Sequence, residues 1–416
     1  MSRAHRSDLH PDVAHSPEPP AQSTTRSTSP AYPAGSSATA TLVVTALLVL
    51  TQLYAAIPLL APISADLHGN ATIALSTAFS LTYAAGFLIW GPVSDHYGRR
   101  RIMALALGIL IASTVCCALA PSLPVLAALR AIQGLSASGF APVALAYLSE
   151  ALEPPRRAGA IGAMSTSFLV AGIVGQVLAS LVALHLGWRW FFPLCGGLLA
   201  VALAVVLAVV HDAAPASGPS GSSLRGQFAS LGRLAVRPAV LALSLAHVTL
   251  LMVFVAMYTG IGGHLETLGL RPTSIILIRL AALPAMFLSL GAGRLAARCS
   301  WAQTARLGFG VSALGMLGEA LLAQSLVGLV AGSIVYVAGV ALAAPAMISL
   351  YGLVSAPNRG SGMALNGFIL FVGTSVGPLL ATSSPTFRTL ALILAGILAV
   401  ALVAIAGFKA LADADR

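Results

Sequence analysis

The stretch GPVSDHYGRRR, residues 91–101, decides the fold, because it is a short charged interval between two long apolar runs. It places one acid, two glycines and three arginines within eleven residues of a chain in which only 8% of residues are charged. Apolar runs of this length predict helices that cross a bilayer. Arginines concentrate on the cytoplasmic side of such helices, so the stretch predicts a tight cytoplasmic turn between two membrane spans.

The composition of the whole chain agrees with this interpretation. The chain has 416 residues, 58% of them hydrophobic, and its mean hydropathy is +0.92. Soluble domains are about half apolar and about a quarter charged, so the composition predicts an integral membrane protein and not an enzyme. The apolar runs last about twenty residues without the alternation of a barrel strand, which predicts helices.

The net charge of +10 has a topological explanation. Most of the 22 lysines and arginines fall in segments predicted to lie in the cytoplasm, as the positive-inside rule requires. A nucleic acid partner is therefore not expected. The strong preference for arginine over lysine, together with many alanines, indicates a bacterium with a GC-rich genome.

Twelve apolar segments follow one another between residues 39 and 410. An even number places both termini on one side of the membrane, and the arginine distribution makes that side the cytoplasm. Residues 1–38 contain no apolar run and predict a disordered cytoplasmic tail. The predicted helices are 39–61, 71–93, 102–120, 124–148, 160–184, 190–210, 239–261, 273–293, 306–323, 326–350, 361–382 and 387–410.

The longest interval between these segments, 211–237, divides six predicted helices from six. Its content of Ser, Gly and Pro predicts a flexible cytoplasmic linker. The predicted domains are therefore an N-terminal six-helix bundle at 39–210 and a C-terminal six-helix bundle at 238–410. A short cytoplasmic tail at 411–416 follows the second bundle.

The two predicted bundles resemble each other in sequence. When the chain is shifted by 202 residues, Pro155–Ala179 aligns with Pro357–Ala381, and a proline, an arginine and a glycine fall in register. Pro142 and Pro345 also occupy related places and predict interruptions of helices 4 and 10. The predicted fold class is thus an all-α membrane protein, with twelve transmembrane helices in two pseudo-symmetric six-helix bundles.

The spacing G-x-x-x-D-x-x-G-R-R-R in residues 91–101 resembles the loop between helices 2 and 3 of major facilitator superfamily transporters. The stretch PLLAP at 58–62, followed by Asp66, resembles the end of helix 1 in the twelve-helix drug–proton antiporter branch of that family. A weaker echo of the loop at 291–298 keeps two arginines but lacks the acid. The resemblance implies a secondary transporter whose two bundles expose a central site to each side in turn.

In that family the loop forms a cytoplasmic latch that holds the two halves together while the carrier is open to the outside. The resemblance implies this role for Asp95 and Arg99, with Gly91 and Gly98 permitting a close turn. Glu150, at the end of predicted helix 4, is a candidate partner for Arg99. The alternative is a basic loop that only sets the topology.

Arg130 begins the sequence RAIQG in predicted helix 4, and the family has an R-x-x-Q-G motif there that is linked to proton coupling. An arginine in the apolar layer costs about 3 kcal/mol, so a functional role is the default interpretation of Arg130. The alternative is that its side chain reaches the outer headgroups of the bilayer. No acid lies near the middle of a predicted helix, which leaves His247 and Glu319 as further proton-coupling candidates. Packing is the alternative for His247, and Glu319 and Arg279 could neutralise one another.

Predicted helices 5 and 11 carry glycines at the spacing of helix-packing surfaces, Gly172 and Gly175 in one and Gly373 and Gly377 in the other. Helix 11 continues with Pro378 and so resembles the G-x-x-x-G-P bend of the drug antiporters. Helix 5 has a glutamine in place of that proline, which weakens the assignment of antiport.

The substrate cavity of the family is lined by helices 1, 4, 7 and 10. The resemblance therefore implies that polar, aromatic and methionine side chains on these helices line the cavity. Ordinary helix packing is the alternative for each of them. The cavity candidates are Gln52, Tyr54, Gln133, Met252, Tyr258 and Tyr336.

These features predict a proton-coupled exporter of small amphipathic or hydrophobic compounds in a bacterial cytoplasmic (inner) membrane. A carrier of one metabolite, such as a sugar, is the first alternative, and a receptor or scaffold without transport is a distant one. No cofactor or metal is expected, because the sequence has no phosphate-binding loop, zinc site or catalytic triad. The expected partners are the small-molecule substrate, protons and the lipid bilayer, and a monomer is expected.

Overall fold

The computed structural model describes residues 35–211, 224–270, 274–355 and 359–414, and every secondary-structure element in these ranges is a helix. Within these described ranges twelve helical spans, named α1 to α12, coincide one by one with the twelve predicted segments, so the predicted fold class is confirmed. Residues 1–34, which hold most of the predicted N-terminal tail, lie outside the described residues.

The spans are either single helices or short series of helical pieces. They are α1 (Ser36–Tyr54 and Ala56–Asp66), α2 (Thr72–Thr77 and Ala78–Tyr97), α3 (Arg99–Cys117), α4 (Leu123–Ala137 and Ala141–Ala151), α5 (Pro154–His185), α6 (Trp188–Val209), α7 (Pro238–Thr267), α8 (Ser274–Met286, Phe287–Gly291 and Ala292–Cys299), α9 (Trp301–Leu321), α10 (Leu326–Val354), α11 (Arg359–Ser383) and α12 (Phe387–Ala414).

Eleven of the described spans are long and apolar enough to cross a bilayer, as judged from length and composition. The twelfth, α9, has 21 residues and therefore a sufficient length. Its sequence contains Arg306 and Glu319, which lower its hydropathy. The chain is thus a multi-pass membrane protein.

The helix pairings of the first six spans recur in the last six. In the first bundle α1 packs against α5 and α6, α2 against α4, and α3 against α4 and α6. In the second bundle α7 packs against α11 and α12, α8 against α10, and α9 against α10 and α12. Each pairing reappears when six is added to both helix numbers, which is the pseudo-symmetry that the sequence repeat predicts.

The two bundles meet along α2 against α11 and α5 against α8, with a smaller contact between α1 and α7. Thr77 on α2 donates a hydrogen bond of 3.2 Å to the carbonyl of Ser375 on α11. The hydroxyls of Thr166 on α5 and Ser289 on α8 lie 3.5 Å apart. Two aromatic groups and Arg279, described below, lie at this boundary between the bundles.

The predicted turn at 91–101 is much shorter than its charge suggests. Helix α2 continues to Tyr97 and α3 begins at Arg99, so Gly98 alone reverses the chain. Its φ of +94° is open to glycine at little cost. The residue 202 positions later, Ser300, turns the chain between α8 and α9 with a φ of +115°. The weaker echo of the loop at 291–298 is likewise helical.

The predicted interruptions at the two prolines differ in outcome. Helix α4 is interrupted at 138–140, ahead of Pro142, so that prediction is confirmed. Helix α10 continues through Pro345, so that prediction is wrong. Gly139 lies in the interruption of α4, whereas good helix formers precede Pro345 and tolerate its missing N–H group.

The segment predicted as a flexible linker, 211–237, contains a helix at Leu224–Ala235. Residues 212–223 of that segment lie outside the described residues. The short helix carries Arg233 in its last turn, a favourable place for a positive charge. Part of the connection between the bundles is therefore ordered as a helix.

Candidate functional site

Arg130 is only 1% exposed and is held inside the first bundle by three hydrogen bonds. Its Nε donates to the carbonyl of Leu75 at 2.8 Å, and its Nη2 donates to the carbonyl of Gln52 at 3.1 Å. Its Nη1 donates to Oε1 of Gln133 at 2.7 Å. The guanidinium also lies 4.2 Å from the centre of the Phe79 ring. These contacts satisfy the charge without a carboxylate.

Gln133 connects this arginine to a further helix, α3, and makes a second contact with α1. Its Nε2 donates to Oγ1 of Thr114 on α3 at 2.7 Å and to Oε1 of Gln52 on α1 at 3.3 Å. Both glutamines are fully buried. The predicted proton-coupling arginine and two predicted cavity residues thus form one network, and all of its members belong to the first bundle.

A cluster of aromatic rings spans the boundary between the bundles. Tyr54 on α1 meets Phe254 on α7 edge to face, with the ring centres 5.7 Å apart. Phe254 in turn lies 5.0 Å from Tyr258 and 6.5 Å from Tyr336, which is on α10. Gly172 on α5 leaves room for the rings of Phe254 and Tyr54. Three predicted cavity residues therefore lie together.

A second group of rings joins α2 to α11. Tyr83 lies 4.4 Å from Phe371, centre to centre, and Phe87 lies 5.3 Å from Phe371. Phe79, which carries Arg130 on its face, stacks on Tyr83 at 5.7 Å. The hydroxyl of Tyr83 is buried and has no hydrogen-bond partner. An apolar surface with a few free polar atoms is typical of small-molecule sites.

Arg279 on α8 reaches across the boundary to α5. Its Nη1 donates to Oγ of Ser180 at 2.5 Å and to the carbonyl of Gln176 at 3.5 Å. Its guanidinium lies 6.0 Å from the centre of the Tyr258 ring. The side chain is fully buried, and its Nε and Nη2 have no hydrogen-bond partner.

Glu319 on α9 is fully buried, and neither of its carboxyl oxygens has a hydrogen-bond partner. It packs against Gly332 of α10. The expectation that Glu319 and Arg279 neutralise one another is wrong, because Arg279 directs its bonds to α5 instead. The sequence suggested a pair because both residues are predicted at a similar depth in the membrane. In the structure Arg279 contacts α5 and Glu319 contacts α10.

His247 on α7 lies apart from these groups. Its Nε2 is 2.9 Å from Nδ2 of Asn366 on α11, and its ring centre is 5.3 Å from that of Tyr351. Its Nδ1 is buried without a partner. The histidine therefore has one of its two nitrogen atoms satisfied by the fold.

The predicted latch residues lie at the end of the molecule where α2, α3 and α4 meet. Nη2 of Arg99 lies 2.7 Å from Oε1 of Glu150, and its Nη1 donates to Oγ of Ser94 at 2.6 Å. The carboxylate of Glu150 is half exposed. The side chain of Asp95 lies outside the described residues. Gly91 has open space around it.

Three of the four glycines predicted to pack helices lie against neighbouring backbones, whereas Gly172 lies against the rings named above. A Cβ at Gly377 would lie 2.6 Å from the carbonyl oxygen of Met252, and one at Gly175 would lie 3.0 Å from Cα of Thr51. A Cβ at Gly373 would lie closer still to the carbonyl oxygen of Val248. Pro378 is contained within α11. In the repeat its place in α5 is taken by Gln176, whose Nε2 donates to the carbonyl of Gly172.

The predicted cavity residues therefore fall into three places. Tyr54, Tyr258 and Tyr336 lie in the boundary cluster, and Gln52 and Gln133 are bound to Arg130. Met252 instead lines a groove between α7 and α12 with Val248 and Ile397. Sequence reasoning missed Phe254, Tyr83 and Phe371 because nothing distinguishes them from packing residues. It noted Gln176 only as the replacement for a proline.

Comparison with known proteins relates this chain to one family of membrane transporters. A family model described as Major Facilitator Superfamily matches residues 42–378. A crystal structure of a bacterial homolog of the human lysosomal transporter Spinster, in an inward-facing and unoccupied conformation, superimposes with a TM-score of 0.67 at 16% identity. The superposition covers 91% of this chain and 98% of that one, and at this identity it shows the fold alone.

Curated relatives match over shorter stretches. The uncharacterized MFS-type transporter YybF of Bacillus subtilis (strain 168) is 32% identical over 142 residues, 33% of this chain and 34% of the relative. Multidrug resistance protein 3 of the same organism is 28% identical over 131 residues, 31% of this chain and 26% of the relative. The niacin transporter NiaP of Acinetobacter baylyi (strain ATCC 33305 / BD413 / ADP1) is 33% identical over 132 residues, 32% of this chain and 30% of the relative. Each match spans about a third or less of the relative.

Proposed function

Since this chain belongs to the Major Facilitator Superfamily, we propose that it is a secondary transporter that exports small amphipathic or hydrophobic compounds in exchange for protons. The observation that carries this proposal is the aromatic boundary between the two bundles. Rings of Tyr54, Phe254 and Tyr258 from both bundles meet there. The guanidinium of Arg279, which has two buried nitrogen atoms without partners, lies 6.0 Å from the centre of the Tyr258 ring. Such a surface suits compounds with a large apolar part and a single polar group.

The transport cycle proposed here is alternating access. The two bundles rock about their boundary and expose the aromatic cluster to one side of the membrane at a time. The cluster of Asp95, Arg99 and Glu150 acts as a latch that stabilises one of the two states. In this proposal the latch and both termini face the cytoplasm, and the bundles correspond to residues 39–210 and 238–410.

Proton coupling is assigned to buried groups on three helices. Glu319 can take up or release a proton in an apolar surrounding, where an unpaired ionised carboxylate is costly. Arg130 supplies a fixed positive charge in the other bundle. His247 is the third candidate because one of its ring nitrogens is free. In the same proposal the protein lies in a bacterial cytoplasmic membrane and works as a monomer.

The relatives support two versions of this function. The similarity to a protein named for multidrug resistance favours the export of several unrelated compounds. The similarity to a protein named as a niacin transporter favours the alternative, a carrier of one metabolite. The aromatic boundary fits either version, so breadth of substrate range is the property that separates them.

The deciding experiment is transport by the purified chain in proteoliposomes under an imposed pH gradient. We expect several unrelated amphipathic dyes to move against their gradients, each with a movement of protons in the opposite direction. Movement of a single metabolite alone would support the alternative. If no compound of a broad panel moves, either with a pH gradient or by counterflow, the transport proposal is wrong and a receptor or scaffold remains.

A further inference from the structure

The guanidinium of Arg279 is incompletely bonded, and this is unusual for a fully buried charge. One of its three nitrogen atoms, Nη1, donates to Ser180 and Gln176. The other two, Nε and Nη2, are buried and have no partner. A buried donor left without an acceptor costs about 1–3 kcal/mol, and more when it is charged, so this arrangement needs a physical reason.

Arg130 shows that the fold can satisfy a buried arginine when nothing else has to bind it. Both arginines are at most 1% exposed, and each lies within a membrane span. Every nitrogen of Arg130 has an acceptor from the first bundle. Arg279 differs in its position, because its bonds cross the boundary between the bundles. Of these two fully buried arginines, the one with free donors is therefore the one that lies where the two bundles meet.

The two free nitrogen atoms are also the pair that a carboxylate prefers. Nε and one terminal nitrogen lie on the same edge of the planar guanidinium and direct two parallel N–H groups outward. A carboxylate can accept both hydrogen bonds at once, and such paired contacts are about twice as strong as neutral ones. Among the described residues no Asp or Glu forms an ion pair with Arg279, so this edge has no acid of its own.

Aromatic rings lie near the guanidinium of Arg279. The Tyr258 ring centre is 6.0 Å from the guanidinium, and Phe254 and Tyr54 extend the same aromatic cluster towards the first bundle. A group that reached Arg279 from the boundary would place its apolar part among these rings. The site thus combines one positive charge with an aromatic wall.

We propose that the free edge of Arg279 binds the carboxylate of the transported compound, so that the substrates are amphipathic organic acids with a single negative charge. This inference rests on the proposed transport function and adds the substrate class. A monoanion is specified because one buried guanidinium balances one negative charge, whereas a dianion such as a phosphate monoester would leave a net charge in the apolar layer.

The test uses the purified full-length protein in nanodiscs and two probes of matched shape, 1-naphthoate and 1-naphthamide. Ligand binding to the folded state raises the unfolding temperature, which intrinsic tryptophan fluorescence reports. We expect naphthoate to raise that temperature and naphthamide at the same concentration to leave it unchanged. Equal effects of the two probes, or no effect of either, would overturn the proposal without the need for any variant.

Variants then locate the binding group. We expect Arg279→Gln to weaken naphthoate binding by about tenfold or more, and Arg279→Lys to weaken it less, because lysine keeps the charge but loses the fork. Arg189→Gln is the matched control, since Arg189 is half exposed and bonded to Asp66 away from the boundary. Unchanged affinity in a folded Arg279→Gln protein would assign naphthoate to another site and end the proposal.

A transport measurement separates this inference from the function on which it rests. Proteoliposomes are given naphthoate or the cationic dye ethidium under the same pH gradient. Proton-coupled movement of ethidium without any binding of naphthoate would leave the export function intact and reject the substrate class. Binding of naphthoate that depends on Arg279, without movement of either compound, would reject transport and keep the anion site.

Discussion

Arg130 is the residue whose surroundings explain most about the first bundle. It draws acceptors from α1, α2 and α4, and its partner Gln133 extends the contacts to α3. Such a network holds four helices at fixed distances because each acceptor would be left unpaired if its helix moved away. The charge is therefore fixed in place and can act on groups that change their protonation.

We expect Arg130→Ala to reduce proton-driven transport by about tenfold or more, which corresponds to about 1.4 kcal/mol in the transition state. Substrate binding should change less, because the arginine lies outside the aromatic boundary cluster. Transport driven by a pH gradient and counterflow without a gradient, both in proteoliposomes, measure the two effects separately. Arg130→Lys serves as the control for charge, and equal losses in both assays would instead assign Arg130 to structural support.

Ser300 is the second residue with a specific expectation. Its φ of +115° is strained for any residue with a Cβ, at a cost of about 1–3 kcal/mol. Its hydroxyl accepts from the backbone N–H of Gln303, a cap that is worth only a few tenths of a kcal/mol relative to glycine. We therefore expect Ser300→Gly to raise the thermal unfolding temperature in detergent, and Gly98→Ser, at the matching turn, to lower it. A lower temperature for Ser300→Gly would show that the cap outweighs the strain.

At the residue scale the sequence is informative about burial but not about direction. The default rule for charges in membranes singled out Arg130, which has three hydrogen-bond partners in the structure, and its role in proton coupling stays a prediction. Arg279 and Glu319 are predicted at a similar depth in the membrane, and this suggested an ion pair between them. Their actual neighbours, Ser180 for one and Gly332 for the other, depend on how each helix is rotated, and one sequence does not contain that rotation.

The helix pair α7 and α11 illustrates the element scale, because glycine sets the distance between its backbones. Gly373 and Gly377 face the carbonyl groups of Val248 and Met252 with no side chain between them. Small residues at this spacing allow helices in lipid to approach closely, where packing replaces the hydrophobic effect as the attractive force.

We expect Gly377→Ala to destabilise the protein by about 1–3 kcal/mol, because a methyl group there would force α7 and α11 apart. Gly396→Ala on α12 is the matched control, since a Cβ at that residue meets nothing within 4 Å. The control should be neutral or slightly stabilising because it removes backbone entropy from the unfolded chain. Thermal unfolding of both variants in the same detergent decides the matter, and equal unfolding temperatures would refute the close-contact argument.

Helix positions could be predicted well, whereas helix ends and interruptions could not. Every apolar segment became a helix because a bilayer allows the backbone few alternatives. The turn at 91–101 was expected to be a loop, but its polar residues do not prevent a helix and only Gly98 breaks it. The two prolines had opposite effects because the residues ahead of Pro142 and Pro345 differ.

For the whole molecule, the repeated pairing of helices was available from the sequence through a shift of 202 residues. The same shift relates the turns at Gly98 and Ser300, which have similar backbone angles. The rotation of one bundle against the other was not available, since it depends on which faces of α2, α5, α8 and α11 fit together. The aromatic boundary, which carries the proposed function, arises from that fit.

The latch is a property of the whole molecule because it is proposed to stabilise one of two arrangements of the bundles. We expect Asp95→Asn to impair transport while expression, folding and membrane insertion stay normal. Glu150→Gln removes the bond to Arg99, and a half-exposed ion pair of this kind is worth about 0.2–1 kcal/mol. Its loss should therefore shift the population of the two states by up to about fivefold.

Cysteine labelling at the two ends of the boundary, in otherwise cysteine-free protein, measures this population. Asp66→Asn is the control, because its carboxylate is about as exposed as that of Glu150 and pairs with Arg189 at the opposite end of the molecule. Full transport activity together with unchanged labelling in Asp95→Asn would show that the cluster only sets the topology.

The bond from Arg279 to Ser180 has a consequence for the pace of the cycle. If α5 and α8 separate as the bundles rock, the guanidinium loses its acceptors on α5. In an empty carrier no other acceptor is then available to it. A bound anion would supply replacement acceptors throughout the movement, so the loaded carrier would change state readily and the empty one slowly. The substrate itself would then lower the barrier to the change of state. Movement of the empty carrier, which would let protons leak without transport, would be slow without a separate gate.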